Sequence, residues 1–549
     1  MKTDFSSPLK LLTLFWALLF PQHVCAFHAL PPPSLTSQRL HALVQTPLAP
    51  YNLNTRQAVT LKNRQERHSI TLFQKKNAEL DDIKDDEQSF LSLFAIVLPL
   101  LFIYIANQWS RSSIYYLVNF SSTDTTSVST AMNLDLQFDE SQYGALASIA
   151  FTALFAITSL FAGALADRYD RKLLTLGSTA VFTGAILFTS FAHSYNEVLI
   201  ARVVMGLACA FTTPSAYTLI RDFIKEQKAS LANSIYGSGV YFGGGLSSLS
   251  ILLDNLDGVG WRGTCQVISV FGVVSIATAA LLLPKDPKSK TSDLKDNNEE
   301  KLDSPTPSSP LGDAQQVLAT KRVQWLFLAS FFRFSSGLLI GVWAAPYFQQ
   351  AFPNDVSSYA VINALIVGFC GVSSGLFGGW AADQVATASS SFNSDSKEDT
   401  TVNAALANVD ANAARLSIPV VGSLLAIPAW WYTVHAPSFE YAMIFLAIEY
   451  IVAECWFGPT VAVLQSEVGA GRGGTAQGMF TLTGAIGNLA PSVLGFLYVQ
   501  QQQTQVLEAD GNPGNIILAN LLGGAVCAGY LLSALCFAKS ATEQSSQRI

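Results

Sequence analysis

Five ionisable side chains, Arg111, Arg202, Arg333, Glu449 and Glu454, lie inside stretches of sequence that are otherwise almost wholly apolar. Hydrocarbon penalises a buried charge, so such groups must face a cavity or one another. A guanidinium grips a carboxylate or phosphate through two parallel hydrogen bonds, which makes Arg111 and Arg333 candidates to hold an anionic group. Each sits in the first apolar stretch of its half of the chain. A buried carboxylate changes charge readily, so Glu449 or Glu454 is a candidate proton carrier.

Arg333 falls about ten residues into its apolar stretch, close to the bilayer midplane at roughly 1.5 Å per residue, and Glu449 lies at a similar depth. Glu449 and Glu454 are five residues apart. That spacing turns them by about 140° around a helix, so one is expected to line a cavity while the other packs. Glu454 is preferred as the pathway residue, because it precedes Trp456 and a Gly458-Pro459 step that can bend the helix. A second reading of Arg333 is a structural ion pair with a glutamate across the cavity. Trp343 and Trp456, with Trp109, Tyr115, Tyr116 and Tyr347, would give an amphipathic path its aromatic lining, or would sit at the membrane interfaces where such rings gather.

Other chemistries find no support. No phosphate-binding P-loop occurs, and Ser, His and Asp show no arrangement for nucleophilic catalysis, so no enzyme is expected. The seven cysteines are scattered singly, without metal-ligand spacing, and read as small core residues; no metal and no cofactor are expected. No basic patch points to nucleic acid, and the net charge of -7 says little about partners.

The elements that must position these residues follow from composition. Only 13% of the 549 residues are Asp, Glu, Lys or Arg, and half are apolar or aromatic. Apolar runs recur from Phe90 to Phe537, the pattern of a polytopic membrane protein. Twelve spans are predicted, beginning near Phe90, Ser141, Leu173, Glu197, Ala229, Gly263, Val323, Ser357, Ala414, Tyr441, Thr475 and Asn515. Even-numbered loops carry basic residues (Arg168, Arg171, Lys172, Arg221, Lys225, Lys228, Lys321, Arg322, Lys397, Arg415, Arg472), while odd-numbered loops carry acids and one basic residue, Arg262. The positive-inside rule then turns both mature termini and the even loops toward the cytosol or its equivalent.

The expected organisation is a signal peptide at 1–26, a transit-like segment at 27–88 and a six-helix bundle at 89–284. A disordered, Pro-rich central loop follows at 285–320, then a second six-helix bundle at 321–538 with a polar insert at 385–412, and a tail at 539–549. Lys2 and Lys10 precede the apolar run Leu11 to Phe20, and Val24 and Ala26 fit a cleavage site. Phe27 would become the new N-terminus ahead of an acid-poor, basic segment. Cys25-Ala26-Phe27 resembles the junction of bipartite presequences that address proteins to complex plastids, which would place the chain in a plastid envelope. An ordinary secretory signal, and so an endomembrane or the plasma membrane, is the alternative.

Between the second and third spans stands GALADRYDRK, Gly163 to Lys172. It resembles the G-x-L-x-D-R-x-x-R-K signature of the major facilitator superfamily. The resemblance implies an all-α membrane fold of twelve transmembrane helices in two pseudo-symmetric six-helix bundles. It also implies a conformational latch built from Gly163, Asp167, Arg168, Arg171 and Lys172, with Asp222 as a partner for Arg171. A weaker echo after the eighth span ends in Asp383.

Within the superfamily the chain is most similar to the spinster-type branch of lipid and lysolipid exporters. That branch's N-Y-x-D-R is answered by Asn107-Gln108-Trp109-Ser110-Arg111, and its R-x-x-x-G-x-G-E-A by Arg202, Gly206, Ala208, Cys209 and Ala210. Ser110 and Cys209 stand where the family has Asp and Glu. Either Glu449 or Glu454 has taken over proton coupling, therefore, or the cycle runs without it. Gly239, Gly243 and Gly244 resemble the glycine-rich fifth helix of family antiporters and imply close helix packing.

The expectation is a monomeric secondary transporter for a small amphipathic, lipid-like or anionic solute, with protons as a candidate coupling ion. Asn107, Arg111, Arg202, Arg333, Trp343, Glu449, Glu454 and Trp456 would line its pathway. A plastid phosphate or organic-anion transporter of the same fold, or a transport-inactive receptor or scaffold, are the alternatives.

Overall fold

The computed structural model describes residues 94–121, 131–224, 226–285, 310–395, 411–468, 472–506 and 514–543. The expected signal peptide and transit-like segment, most of the central loop, residues 396–410 and the end of the tail lie outside the described residues. Among the described residues every regular element is helical.

The first bundle begins with α1, Phe94–Tyr115. Helix α2 comprises Glu140–Gly144, a π-helical turn at Ala145–Ile149, and Ala150–Arg168. It is followed by α3 (Arg171–Ser190), α4 (Tyr195–Cys209, then Thr212–Phe223), α5 (Glu226–Gly237, then Gly239–Asp254) and α6 (Gly260–Leu282). The second bundle opens with α7 (Lys321–Ala351) and α8 (Val356–Leu365, a π-helical turn at Ile366–Cys370, then Gly371–Asp395). It continues with α9 (Ala411–Val434), α10 (Phe439–Ala453, a 3-10 turn at Glu454–Trp456, then Phe457–Val468), α11 (Gly473–Gly487, then Ala490–Val506) and α12 (Gly514–Thr542). Side-chain oxygens of Asp139, Asp170 and Ser194 accept from the amides of Gln142, Leu173 and Glu197, capping α2, α3 and α4.

Among the described residues, eleven helices are long and apolar enough to cross a membrane. The fifth of the expected twelve spans is α5, which Ser238 divides into pieces of 12 and 16 residues. Helix α6 shows what faces the lipid: Val267, Val270, Val273 and Val274 are exposed along one side. Two segments expected to be irregular contain helix. Pro310–Val317 forms a short helix in the central loop, with Val317 buried in the second bundle's core. Proline suits a first helical turn, and the docked valine holds the remainder. Helix α8 also runs on to Asp395, into the expected polar insert.

The repeat is visible in the irregularities. Helices α4 and α10 both consist of 15 residues, a short break, and 12 residues. Helices α2 and α8 both carry a five-residue π-helical turn. Such turns displace the ladder and leave carbonyls open to other donors.

Packing between the bundles is uneven along the membrane normal. Toward the odd-numbered loops one core cluster draws on both bundles, from Trp109, Tyr143 and Phe151 to Trp343, Tyr359 and Leu494. Toward the even-numbered loops the core separates into one cluster in the first bundle, around Leu100, Ile220 and Tyr236, and another in the second, around Leu326, Leu464 and Phe537. Bonds between bundles fasten the odd-loop side. Tyr143 donates to the Val342 carbonyl at 2.6 Å, and Ser148 and Ser492 meet through their hydroxyls at 2.7 Å. Ser248 donates to the Ala360 carbonyl at 3.0 Å, and Asn363 reaches Ser248 and the Tyr116 hydroxyl at 3.0 and 3.2 Å.

Candidate functional site

Midway along the second bundle, α7, α10 and α12 bring a charged cluster together. Arg333, 1% exposed, donates from Nη2 to Glu454 Oε1 and to the Ala453 carbonyl, both at 2.9 Å. Its guanidinium lies over the rings of Tyr530 and Trp456, 5.0 and 5.5 Å from their centroids, a placement in which each ring face attracts the cation. The Tyr530 hydroxyl donates to Glu449 Oε1. Glu449, Tyr530, Arg333 and Glu454 thus form a continuous series, in which Glu454 meets the arginine directly and Glu449 through Tyr530. Nε of Arg333 is buried without a hydrogen-bond partner.

The two carboxylates differ in reach. The Glu454 side chain is 25% exposed, whereas Glu449 as a residue is 2% exposed. The reason lies in α10, which changes to a 3-10 turn at Glu454–Trp456 and so presents Glu454 at a break rather than on the packed face. Glycines hold that break close. A Cβ on Gly378 of α8 would lie 2.4 Å from the Cys455 carbonyl oxygen, and one on Gly422 of α9 2.4 Å from that of Val452.

In the first bundle Asn107 donates to Thr212 Oγ1 at 3.2 Å across the break in α4. Ser110 and Cys209 are both buried. Cys209 is the last residue before the break in α4, and Glu454 is the first residue of the break in α10. Glu454 thus holds in the second half a position close to that of Cys209 in the first.

Arg202 directs its guanidinium to backbone: Nη1 donates to the Arg111 carbonyl at 2.7 Å and Nε to that of Leu146 at 3.1 Å, with Nη2 3.5 Å from that of Ala147. Leu146 and Ala147 belong to the π-helical turn of α2, so Arg202 satisfies carbonyls that the turn exposes. The Arg111 guanidinium lies over Phe151 and Phe155 at 4.8 and 5.9 Å. Trp343 is fully buried, donating to the Pro491 carbonyl at 3.0 Å on the fastened side.

The residues of GALADRYDRK separate by role. Arg171 is buried and pairs with Asp222 at 2.5 Å, joining α3 to α4. Asp170 caps α3, and Lys172 donates to the Ala280 and Leu283 carbonyls at the end of α6. The backbone of Gly163, Asp167 and Arg168 lies in α2, and the side chains of Asp167 and Arg168 fall outside the described residues. Asp383 pairs with Arg415 at 3.2 Å.

The glycines of α5 serve two neighbours. A Cβ on Gly239 would lie 2.9 Å from Tyr104 Cδ1 and one on Gly243 2.5 Å from Gln108 Cβ, both on α1. Gly244 and Gly245 instead face Val367 and Ala364 of α8, with a Cβ 3.0 Å from each.

Sequence reasoning overlooked Tyr530, and also Tyr104, Tyr217 and Tyr236. Tyr104 stacks on Tyr236 at 4.6 Å, and Tyr217 meets Tyr236 edge-on at 5.2 Å. A tyrosine in an apolar span carries no signal until its neighbours are known.

Two six-helix bundles, fastened on one side and joined near a buried charged cluster, define a helical membrane protein of pseudo-twofold design. The chain belongs to the Major Facilitator Superfamily, whose sequence profile matches residues 100–491. It is 25% identical over 392 residues to a probable sulfoacetate transporter of Cupriavidus necator, covering 68% of this chain and 83% of that one. It is 26% identical over 189 residues to the 4-hydroxybenzoate transporter PcaK of Pseudomonas putida, covering 33% and 40%. The chain spans 24% to 56% of the length of three such curated relatives. Among solved structures, a bacterial homolog of the human lysosomal transporter Spinster, inward-facing and unoccupied, superposes with a TM-score of 0.60 at 18% identity. That superposition covers 82% of this chain and 97% of the other.

Proposed function

We propose that the chain is a secondary transporter that moves a small organic anion by alternating access. The observation that carries this reading is the Arg333–Glu454 pair, a buried guanidinium whose carboxylate partner is the one reachable group of the cluster. It sits at the depth where the shared core divides. An anion arriving from the even-loop side meets Glu454 and competes with it for Arg333, and the ring faces of Trp456 and Tyr530 hold the guanidinium in place for a two-point grip. Two relatives named for 4-hydroxybenzoate and sulfoacetate transport support an anionic cargo. Under the positive-inside rule the divided side faces the cytosol or stroma, so the structure would be an inward-facing state.

The test is uptake by proteoliposomes holding the full chain, offered radiolabelled 4-hydroxybenzoate, sulfoacetate or a lysolipid, with and without a pH gradient. Uptake of either acid, falling at least tenfold in kcat/KM on Arg333→Ala, is expected from loss of a charged hydrogen-bonding partner. Lysolipid movement without acid movement would replace the anion reading with the spinster-type one. Loss of the gradient response on Glu454→Gln would assign proton coupling to that carboxylate; an unchanged response in both Glu454→Gln and Glu449→Gln would reject a carboxylate carrier.

The plastid envelope is proposed as the destination on the strength of Cys25-Ala26-Phe27. A fluorescent protein fused behind residues 1–88, expressed in a cell with a complex plastid, should enter that organelle, and Phe27→Ala should hold it outside. Retention in the endomembrane system by both forms would favour the secretory alternative.

A further inference from the structure

Among the described residues, Tyr241 of α5 is a first-bundle side chain close to the charged cluster of the second bundle. Contact between α5 and α8 descends from Ser248 on Ala360, through Gly245 on Ala364 and Gly244 on Val367, to Tyr241 on Gly371. The ring fits there because α8 has no side chain at that point. A Cβ on Gly371 would lie 2.3 Å from Cδ1 and 2.6 Å from Cε1 of the ring, while one on Gly375 would come to 3.5 Å from the hydroxyl. The slot opens directly after the π-helical turn Ile366–Cys370.

From this seat beside Gly375, one turn of α8 before Gly378 and its contact with Cys455, the hydroxyl lies close to Glu454, Arg333 and Tyr104 of its own bundle. Arg333 donates to the Glu454 carboxylate at 2.9 Å, and the Tyr241 hydroxyl is a second donor beside it. Glu454 therefore stands between a guanidinium partner in its own bundle and a hydroxyl donor in the other.

We infer that Tyr241 is a positioning residue that receives Glu454 when an anion takes Arg333, so that the displaced carboxylate is not left without a donor at the membrane midplane. This rests on the transporter reading above. An entering anion must part Glu454 from its guanidinium, and a carboxylate stripped of its partner in a low-dielectric site is costly unless another donor closes on it. Once the guanidinium is taken, the hydroxyl is the donor that remains beside the carboxylate. It therefore favours the occupied state, and it links occupancy to the surface on which α5 and α8 meet.

Equilibrium binding of radiolabelled 4-hydroxybenzoate and of sulfoacetate to the purified full chain tests this through a double-mutant cycle. Tyr241→Phe keeps the ring in its slot and should weaken binding roughly tenfold, the scale of one hydrogen bond to a charged group. In a Glu454→Gln background, where no carboxylate needs rehousing, the same change should alter binding less than twofold. Gly371→Ala, which displaces the ring but leaves its hydroxyl, should match Tyr241→Phe. Equal losses in both backgrounds would mean that Tyr241 only packs and would overturn the inference, as would wild-type affinity in Tyr241→Phe. A wild-type chain that binds neither acid would instead remove the anion reading on which the inference stands.

Discussion

Arg322 and Glu467 meet at 2.7 Å with side chains 2% and 0% exposed, near the even-loop end of the second bundle. Arg322 also donates to the Ser540 carbonyl at 3.2 Å and to that of Glu543, and Asn412 donates to Glu467 at 2.9 Å. One ion pair thus ties α7, α9, α10 and the end of α12. Its counterpart in the first bundle, Arg171–Asp222, closes α3 on α4 at the same end. Breaking such a buried pair leaves an uncompensated charge, whereas replacing both partners removes the desolvation cost as well. Arg322→Met alone should lower stability by about 3–5 kcal/mol. Adding Glu467→Leu should recover much of that loss, read as the thermal unfolding midpoint of the chain in detergent. A double variant no more stable than the single one would show that the carbonyl bonds, not the charge pair, dominate.

At the scale of elements, the positions that admit no side chain decide which helices can touch. A Cβ on Gly206 of α4 would stand 2.0 Å from the Phe151 carbonyl oxygen of α2, and backbone cannot yield as a flexible side chain can. Gly206→Ala should therefore destabilise by roughly 1–3 kcal/mol through overpacking. Gly177, inside α3 with nothing within 4 Å of its Cβ position, is the control. Gly177→Ala should be neutral or gain up to about 1 kcal/mol from helix propensity. The paired breaks belong to this scale too. Those in α4 and α10 put Asn107 beside Thr212 in one half and Glu454 beside Arg333 in the other. The π-helical turns in α2 and α8 create the carbonyls that Arg202 meets and precede the glycine slot that Tyr241 fills.

For the whole molecule, the state described is the one in which the odd-loop side is shut. Ser148 and Ser492, on α2 and α11, lie with hydroxyls 2.7 Å apart, a separation that brings their Cβ atoms into the range a disulfide can bridge. In a Ser148→Cys/Ser492→Cys variant, oxidation should stop uptake and reduction should restore it, because alternating access requires this side to part. Uptake unaffected by a verified disulfide would mean that α2 and α11 do not separate there during transport. Arg262, the basic residue among the acidic odd loops, pairs with Asp135, which also accepts from Trp261 at 3.0 Å. The exception to the charge pattern thus ties the first odd loop to α6.

Sequence alone determined what depends on solvent and on neighbours along the chain. Apolar length gave the helical membrane class, and GALADRYDRK pointed to the family, since a membrane and a short motif both act locally. It also named Arg333, Glu449 and Glu454, because a charge in hydrocarbon stands out against its own flanks. It offered an ion pair between Arg333 and a glutamate as well, but not which glutamate. A helical wheel of 100° per residue separates Glu449 from Glu454, yet a 3-10 turn set between Gly378 and Gly422 and a tyrosine from α12 gather both around Arg333. Nor does the order of residues reveal that Arg202 serves backbone carbonyls, or that Tyr241 reaches across the bundles into a slot in α8. Those outcomes belong to contacts between residues far apart in the chain, whose geometry is decided only when the helices pack.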